Sequence, residues 1–196
     1  MEEKELNQKL HEMFKEMSLV LEDTKQGFLT QNQTTVKKAD TKLTEILTSN
    51  LPFTEELARK RTKDEVEKKY LNLLPNLQLM AVIIRNLISE NKKKIESSLL
   101  FTDKAIDEIK HLYTLMLAQF KDTTDYILTR NLHLKMHIKT GMENLFERIE
   151  DCIAEHETRL IMCACVPKAS YSYVAIIESI KVLSRELNNF SEKLAL

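Results

Sequence analysis

The sequence predicts an all-α protein, and three observations lead there. Its 196 residues include two Gly and three Pro, too few for the tight turns that a sheet of ordinary size requires. Apolar residues recur every three or four positions along almost the whole chain, the period of a helix face. With 43% of residues hydrophobic and 30% charged, a chain of this length has the material for a stable core under a charged surface.

Breaks in the periodicity near Asn32, Asn50-Leu51-Pro52, Phe101-Thr102-Asp103, Asn131 and Val166-Pro167 divide the chain into six expected helices. The first runs from Glu3 to Thr30 and the second from Thr34 to Ser49, stopping before Pro52. The third, Thr54 to Ser97, is longer than an ordinary globular helix and contains Pro75, so it is expected to kink there or to be two helices. Asp103 to Thr129 and Leu132 to Cys163 follow. The last, Lys168 to Leu194, carries the cleanest stripe, with Ile177, Ile180, Leu183, Leu187, Phe190 and Leu194 on one broad face.

Laid on itself at an offset of 99, the chain pairs Met17 with Met116, Asp23 with Asp122, Thr24 with Thr123 and Leu29 with Leu128. Thr30, Asn32 and Thr41 match Thr129, Asn131 and Thr140. The offset then drifts to 103, where Tyr70 pairs with Tyr173 and Asn86 with Asn189, and the apolar stripes of the third and sixth helices overlie one another. The expected architecture is a tandem duplication, residues 1–99 and 100–196, each half an antiparallel three-helix bundle.

The 29 basic and 30 acidic side chains nearly cancel, so no global field draws the chain to nucleic acid or anionic lipid. The start, Met1-Glu2-Glu3-Lys4-Glu5, is acidic with no apolar region behind it, unlike a secretory signal. The longest apolar runs, Leu79 to Ile84 and Leu160 to Val166, fall short of the ~20 residues of a membrane span. Three cysteines, an odd number, suit a reducing compartment. A cytoplasmic location is expected.

The repeat resembles the PhoU family of phosphate-uptake regulators and the cytosolic tail of bacterial sodium/phosphate cotransporters. In that family the third helix of each repeat reads approximately Asn-Leu-Glu-Arg-Ile-Gly-Asp-His-Ala-x-Asn-Ile. Asn76 to Leu87 follows its apolar and Asn skeleton, and Ser179 to Phe190 does so again. The cotransporter branch carries a His-x-x-Arg-Leu element before its last helix; His156-Glu157-Thr158-Arg159-Leu160 matches it, followed by a short loop and Tyr171 to Tyr173. The resemblance implies a bacterial cytoplasmic regulatory or accessory protein of phosphate transport or sensing. It implies docking on a transporter or sensor kinase through helix faces, and dimerisation, without catalysis.

The family places Glu and Asp four apart in that helix as ligands for iron or zinc. Here those places hold Gln78 and Val82, then Lys181 and Arg185, and the last two cannot coordinate a cation. No metal or other cofactor is expected at the family's sites. Lys181 and Arg185 share a helix face, either as an anion or partner contact or as a solvated face flanked by Glu178 and Glu186.

Two further groups bear on the alternative of a metal-binding helical protein. Cys152, His156, Cys163 and Cys165 lie near the end of the fifth helix, where thiolates and imidazole suit zinc or copper(I); the competing role is simple packing. Glu143, Glu147, Glu150, Asp151 and Glu155 line one region of the same helix, as ligands or acid/base groups, or as surface pairs with Arg148 and Arg159. No phosphate-cradling glycine loop, nucleophile elbow or His-Glu-x-x-His motif occurs, so an enzyme is not expected. Arg59-Lys60-Arg61, Lys68-Lys69 and Lys92-Lys93-Lys94 read as solvated helix ends, with no aromatic residues interleaved. Met13, Met17, Met80 and Met116 sit on apolar stripes and read as core.

Overall fold

In the computed structural model, which describes residues 3–59 and 65–195, six helices follow one another: α1 Glu3–Thr30, α2 Gln33–Arg59, α3 Glu65–Glu96, α4 Asp103–Thr129, α5 Leu132–Ile161 and α6 Pro167–Ala195. The acidic start extends outside this range at Met1 and Glu2, as do Lys60 and Arg61 of the first basic cluster. The helix starts have chemical causes. Thr102 accepts a hydrogen bond from the Ala105 amide at 3.2 Å, and Pro167 occupies the first position of α6, where its missing N–H costs nothing.

Two boundaries differ from expectation. The second helix does not stop before Pro52 but runs through it to Arg59, so Thr54 to Arg59 belongs to α2 and not to α3. Pro52 removes one backbone donor, and polar side chains crowd the carbonyls around it. Asn50 Nδ2 and Ser49 Oγ donate to the Ile46 carbonyl at 2.7 and 3.0 Å, and Thr54 Oγ donates to Leu51 at 2.8 Å. The third helix is a single helix with Pro75 inside it. Its buried face continues on both sides of the proline, from Tyr70 and Leu73 to Met80, Ile84 and Leu87, and that packing outweighs one lost hydrogen bond. By length and composition α3 is also apolar enough to cross a bilayer, which shorter runs did not suggest. In the fold much of its apolar face is core, while Leu79 and Val82 lie at the surface.

The duplication is visible in hydrogen bonding. At the α1–α2 junction Gln31 adopts a left-handed conformation, φ 52°, and Asn32 caps the next helix by accepting from the Thr35 amide at 3.1 Å. At the α4–α5 junction Arg130 has φ 53° and Asn131 accepts from the His133 amide at 2.8 Å. Buried Thr24 and Thr123 each donate back four residues, to Val20 and Gln119. Thr30 and Thr129 do the same to Gln26 and Asp125.

Within each half the three helices touch one another, and the halves join where α3 lies along α6 and α1 along α4. The α3–α6 pair is antiparallel, since Asn76 reaches Glu186 while Ser172 reaches Glu90. One continuous apolar core results. At its centre the Phe14 ring of α1 packs on Phe120 of α4 and Phe190 of α6, with centroids 5.2 and 4.7 Å away. Met17, Met80 and Met116 are buried in it, and Met13 packs against it.

Gly27 makes the α1–α2 crossing close. A Cβ there would stand 2.5 Å from Val36 Cγ2, on a fully buried β-branched side chain, and 3.3 Å from the Val36 backbone nitrogen. Gly27→Ala is therefore expected to lower stability by about 1–3 kcal/mol despite alanine's better helix propensity, read as a lower urea midpoint. Phe14→Ala is expected to cost more, about 3–5 kcal/mol.

Candidate functional site

The His-x-x-Arg-Leu element builds a buried polar cluster where α4, α5 and α6 meet. Arg159, in the last turn of α5, forms a two-pronged bond to Glu108 of α4, Nη1 to Oε1 at 2.8 Å and Nη2 to Oε2 at 2.7 Å. The Glu108 side chain is 1% exposed and that of Arg159 13%. The Tyr173 hydroxyl of α6 donates to Glu108 Oε2, and the guanidinium lies over the Tyr173 ring at 5.5 Å. A carboxylate this deep requires such partners. Glu108 holds the guanidinium pKa above its usual range, while burial and the Glu108 charge push the Tyr173 phenol upward.

His156 stands one helical turn before Arg159. Its ring stacks on Tyr173, centroids 4.4 Å apart, and its Nε2 lies 2.6 Å from Ser170 Oγ. A neutral imidazole against a serine hydroxyl is half of a nucleophilic pair. The surroundings do not complete it. His156 Nδ1 has no partner, Glu108 is engaged by Arg159 and Tyr173, and the adjoining cavity, lined by Phe101, Cys165 and Ser170 among others, has a volume of about 20 Å³. That is room for one water. The geometry is that of a clamp fastening the ends of α5 and α6 to α4.

Around this clamp the sequence candidates are dispersed. Cys152 is buried, its carbonyl receiving the Tyr173 hydroxyl at 3.4 Å, and burial followed by the Glu108 charge raises its thiol pKa. Cys163 is exposed in the α5–α6 loop with φ 53°, and Cys165 is half-buried beside His156. Glu143 and Glu147 are exposed on α5. Among the described residues, no three His, Cys, Asp or Glu side chains come together to hold a metal ion. The acids further along serve as surface pairs: Asp151 with Arg148 at 3.4 Å, and Glu155 with Lys104 at 2.9 Å.

The positions of the family's carboxylates also have definite surroundings. Gln78 and Val82 face outward on α3. On α6 the Lys181 ammonium lies 5.6 Å above the Phe146 ring, and Arg185 is exposed. Glu186 does not flank them on the surface. It is buried, accepting from Asn76 Nδ2 at 2.8 Å and Asn189 Nδ2 at 3.1 Å.

Lys94 departs from its reading as a solvated helix end. It is 2% exposed, wedged between Phe28 and Phe101 with its ammonium 5.0 and 5.2 Å from their centroids, and burial lowers its pKa. Glu108 was missed altogether. Its one sequence signal is a charge at a position where the apolar rhythm of α4, Ala105-x-x-x-Ile109-x-x-Leu112, calls for an inward side chain on the neighbouring edge.

Because removing Glu108 strands a buried guanidinium, Glu108→Ala is expected to cost about 3–5 kcal/mol, with Arg159→Met in the same background recovering part of it. Urea titrations of the two single variants and the double measure this. Burial, the largest effect, and the Arg159 charge lower the His156 pKa below its ordinary 6.5, outweighing Glu108 and Glu157. A folded state that binds its proton later loses stability as pH falls through 6.5. The thermal midpoint is therefore expected to fall more steeply from pH 7 to pH 5 in the parent than in His156→Gln.

Comparison with known proteins bears on the fold. Neither protein-family models nor curated protein sequences give a match to this chain. Among solved structures, that of PhoU from Pseudomonas aeruginosa superposes with a TM-score of 0.71 at 11% sequence identity, over 97% of this chain and 93% of that one. The six-helix, internally duplicated architecture of this chain is therefore the PhoU-like fold.

Proposed function

We propose that the protein is a cytoplasmic regulatory or accessory component of phosphate transport or phosphate sensing, acting by contact with a partner protein rather than by chemistry. The observation carrying this reading is the likeness to PhoU from Pseudomonas aeruginosa over nearly the full length of both chains. Conversion of the motif carboxylates to Gln78, Val82, Lys181 and Arg185 supports a role without iron or zinc at those positions. The division into residues 1–99 and 100–196 belongs to the same proposal, the junction falling in the loop between α3 and α4.

The surface offered for that contact lies around the α3–α4 and α5–α6 loops, which share one small cavity through Phe101 and Cys165. Leu100, Ile161, Met162 and Tyr171, in or next to those loops, are 77%, 84%, 74% and 81% exposed, and large apolar side chains left in water at one end of a fold favour an interaction surface. The partner on this reading is a phosphate transporter or its sensor kinase, and a homodimer is the competing occupant.

Co-purification from the native host tests the proposal. The tagged chain is expected to retain a phosphate-transporter subunit or sensor kinase, and Ile161→Glu with Tyr171→Glu to reduce recovery about tenfold while leaving the circular dichroism unchanged. Recovery of neither partner, or stoichiometric iron or zinc in protein purified without chelator, overturns the reading.

A further inference from the structure

The cysteines of this chain divide by place. Cys152 belongs to the closed core. Cys163 and Cys165 instead stand together in the loop between α5 and α6, separated only by Ala164, and both thiols are free. The path of that loop is fixed from both sides. The Cys163 amide donates to the Leu160 carbonyl at 3.0 Å and the Ala164 amide to the Arg159 carbonyl at 2.8 Å, and the left-handed φ of 53° at Cys163 turns the chain out of α5. On the other side the Ala169 and Ser170 amides donate to the Val166 carbonyl at 2.9 and 3.2 Å, opening α6. Two Cα links of ~3.8 Å with a bend between them span roughly 5–7 Å, which overlaps the ~4.4–6.8 Å that a disulfide bridges.

The two loop thiols have unlike surroundings. Cys163 is exposed to solvent, where an oxidant reaches it directly. Cys165 is half-buried and lines the small cavity beside the clamp together with His156, Arg159, Ser170 and Tyr173. His156 is 4% exposed and its Nδ1 has no hydrogen-bond partner, while its Nε2 lies 2.6 Å from Ser170 Oγ. With the ring proton on Nε2 and shared with that serine, Nδ1 is a free lone-pair base in a residue that borders the same cavity as Cys165. Neither the clamp nor the core packing uses this nitrogen.

We infer that Cys163 and Cys165 form a reversible redox site for hydrogen peroxide, with Cys163 the thiol that is oxidised and Cys165 the one that resolves it. The peroxide O–O bond breaks as the Cys163 sulfur takes one oxygen, giving a sulfenic acid and one water. Cys165 then attacks that sulfur, its proton passing through His156 to the departing hydroxide, so that the S–S bond forms with release of a second water. The thiol pair loses two electrons, and both peroxide oxygens end as water. A reducing dithiol returns the two electrons by thiol–disulfide exchange and is itself oxidised to a disulfide. In a reducing compartment such a pair rests as free thiols and is oxidised transiently. The inference concerns the chemistry of the loop in the isolated chain, so it fails or stands separately from any docking partner.

Peptide mapping of the full chain after treatment with equimolar hydrogen peroxide tests it, with free thiols alkylated before digestion. Trypsin cuts after Arg159 and Lys168, so both cysteines fall in one peptide, residues 160–168. The expected result is a bridge inside that peptide, seen as the loss of two hydrogen atoms that dithiothreitol restores. It is expected to form about tenfold faster in the folded chain than in the same chain in urea. Cys165→Ser is expected to leave a Cys163 sulfenic acid that dimedone traps, and Cys163→Ser to slow peroxide consumption about tenfold or more. His156→Gln is expected to slow closure of the bridge about tenfold while the sulfenic acid accumulates. Cys152→Ser is expected to behave as the parent does. Equal rates in the folded chain and in urea overturn the inference, as does undiminished peroxide consumption by Cys163→Ser or a bridge between two chains in place of the internal one.

Discussion

The arrangement of this chain depends on the contact between Phe14 and the rings of Phe120 and Phe190, because it is there that two half-sized bundles share one interior. A three-helix unit of about a hundred residues buries a modest fraction of its apolar surface alone. Laying α3 along α6 and α1 along α4 removes two further helix faces from water, and Leu6, Met17, Met80, Met116, Ile180 and Leu187 become part of the same core. The helix ends, and the polar groups gathered at them, inherit their positions from that seam.

Polar side chains taken into such an interior must be answered, and the two ends of the bundle answer them differently. At one end Glu108 accepts from Arg159 and Tyr173 together, so a deeply placed carboxylate also fastens three helices. Its worth lies in geometry more than in net stability, since a buried ion pair recovers little beyond its own desolvation. At the other end Asn7 offers a single carbonyl oxygen to both Tyr70 and Arg130. Back at the Glu108 end, Lys94 has two aromatic faces in place of a carboxylate, an arrangement in which its alkyl stem packs as a hydrophobe.

Much of the architecture was legible in the residues. The starts of α4 and α5 were marked by Thr102 and Asn131, whose side chains cap them, and the duplication by threonines that repeat both identity and hydrogen bond. Proline misled at residue 52, because a rule about one lost donor says nothing of the neighbouring side chains that crowd the same turn. The polar sites were half legible. His156 and Arg159 announce themselves as a short motif, but Glu108 lies 51 residues from its arginine, and nothing local distinguishes an acid that will be buried from its exposed neighbours Asp103 and Asp107. Lys94 was hidden for the same reason, sitting in a run of three lysines of which the fold takes in only the last.

The covalent link between the halves changes how the central seam is governed. Were each bundle a separate chain, the α3–α6 and α1–α4 contacts would form a subunit interface, populated according to protein concentration. Joined by the short segment between Glu96 and Asp103, the two partners meet at a high and fixed effective concentration. Mutations need not then act on both sides of the seam at once. One half is free to acquire an acid and an arginine while the other keeps an amide, so a pseudo-twofold scaffold can carry two unlike ends in a single monomer.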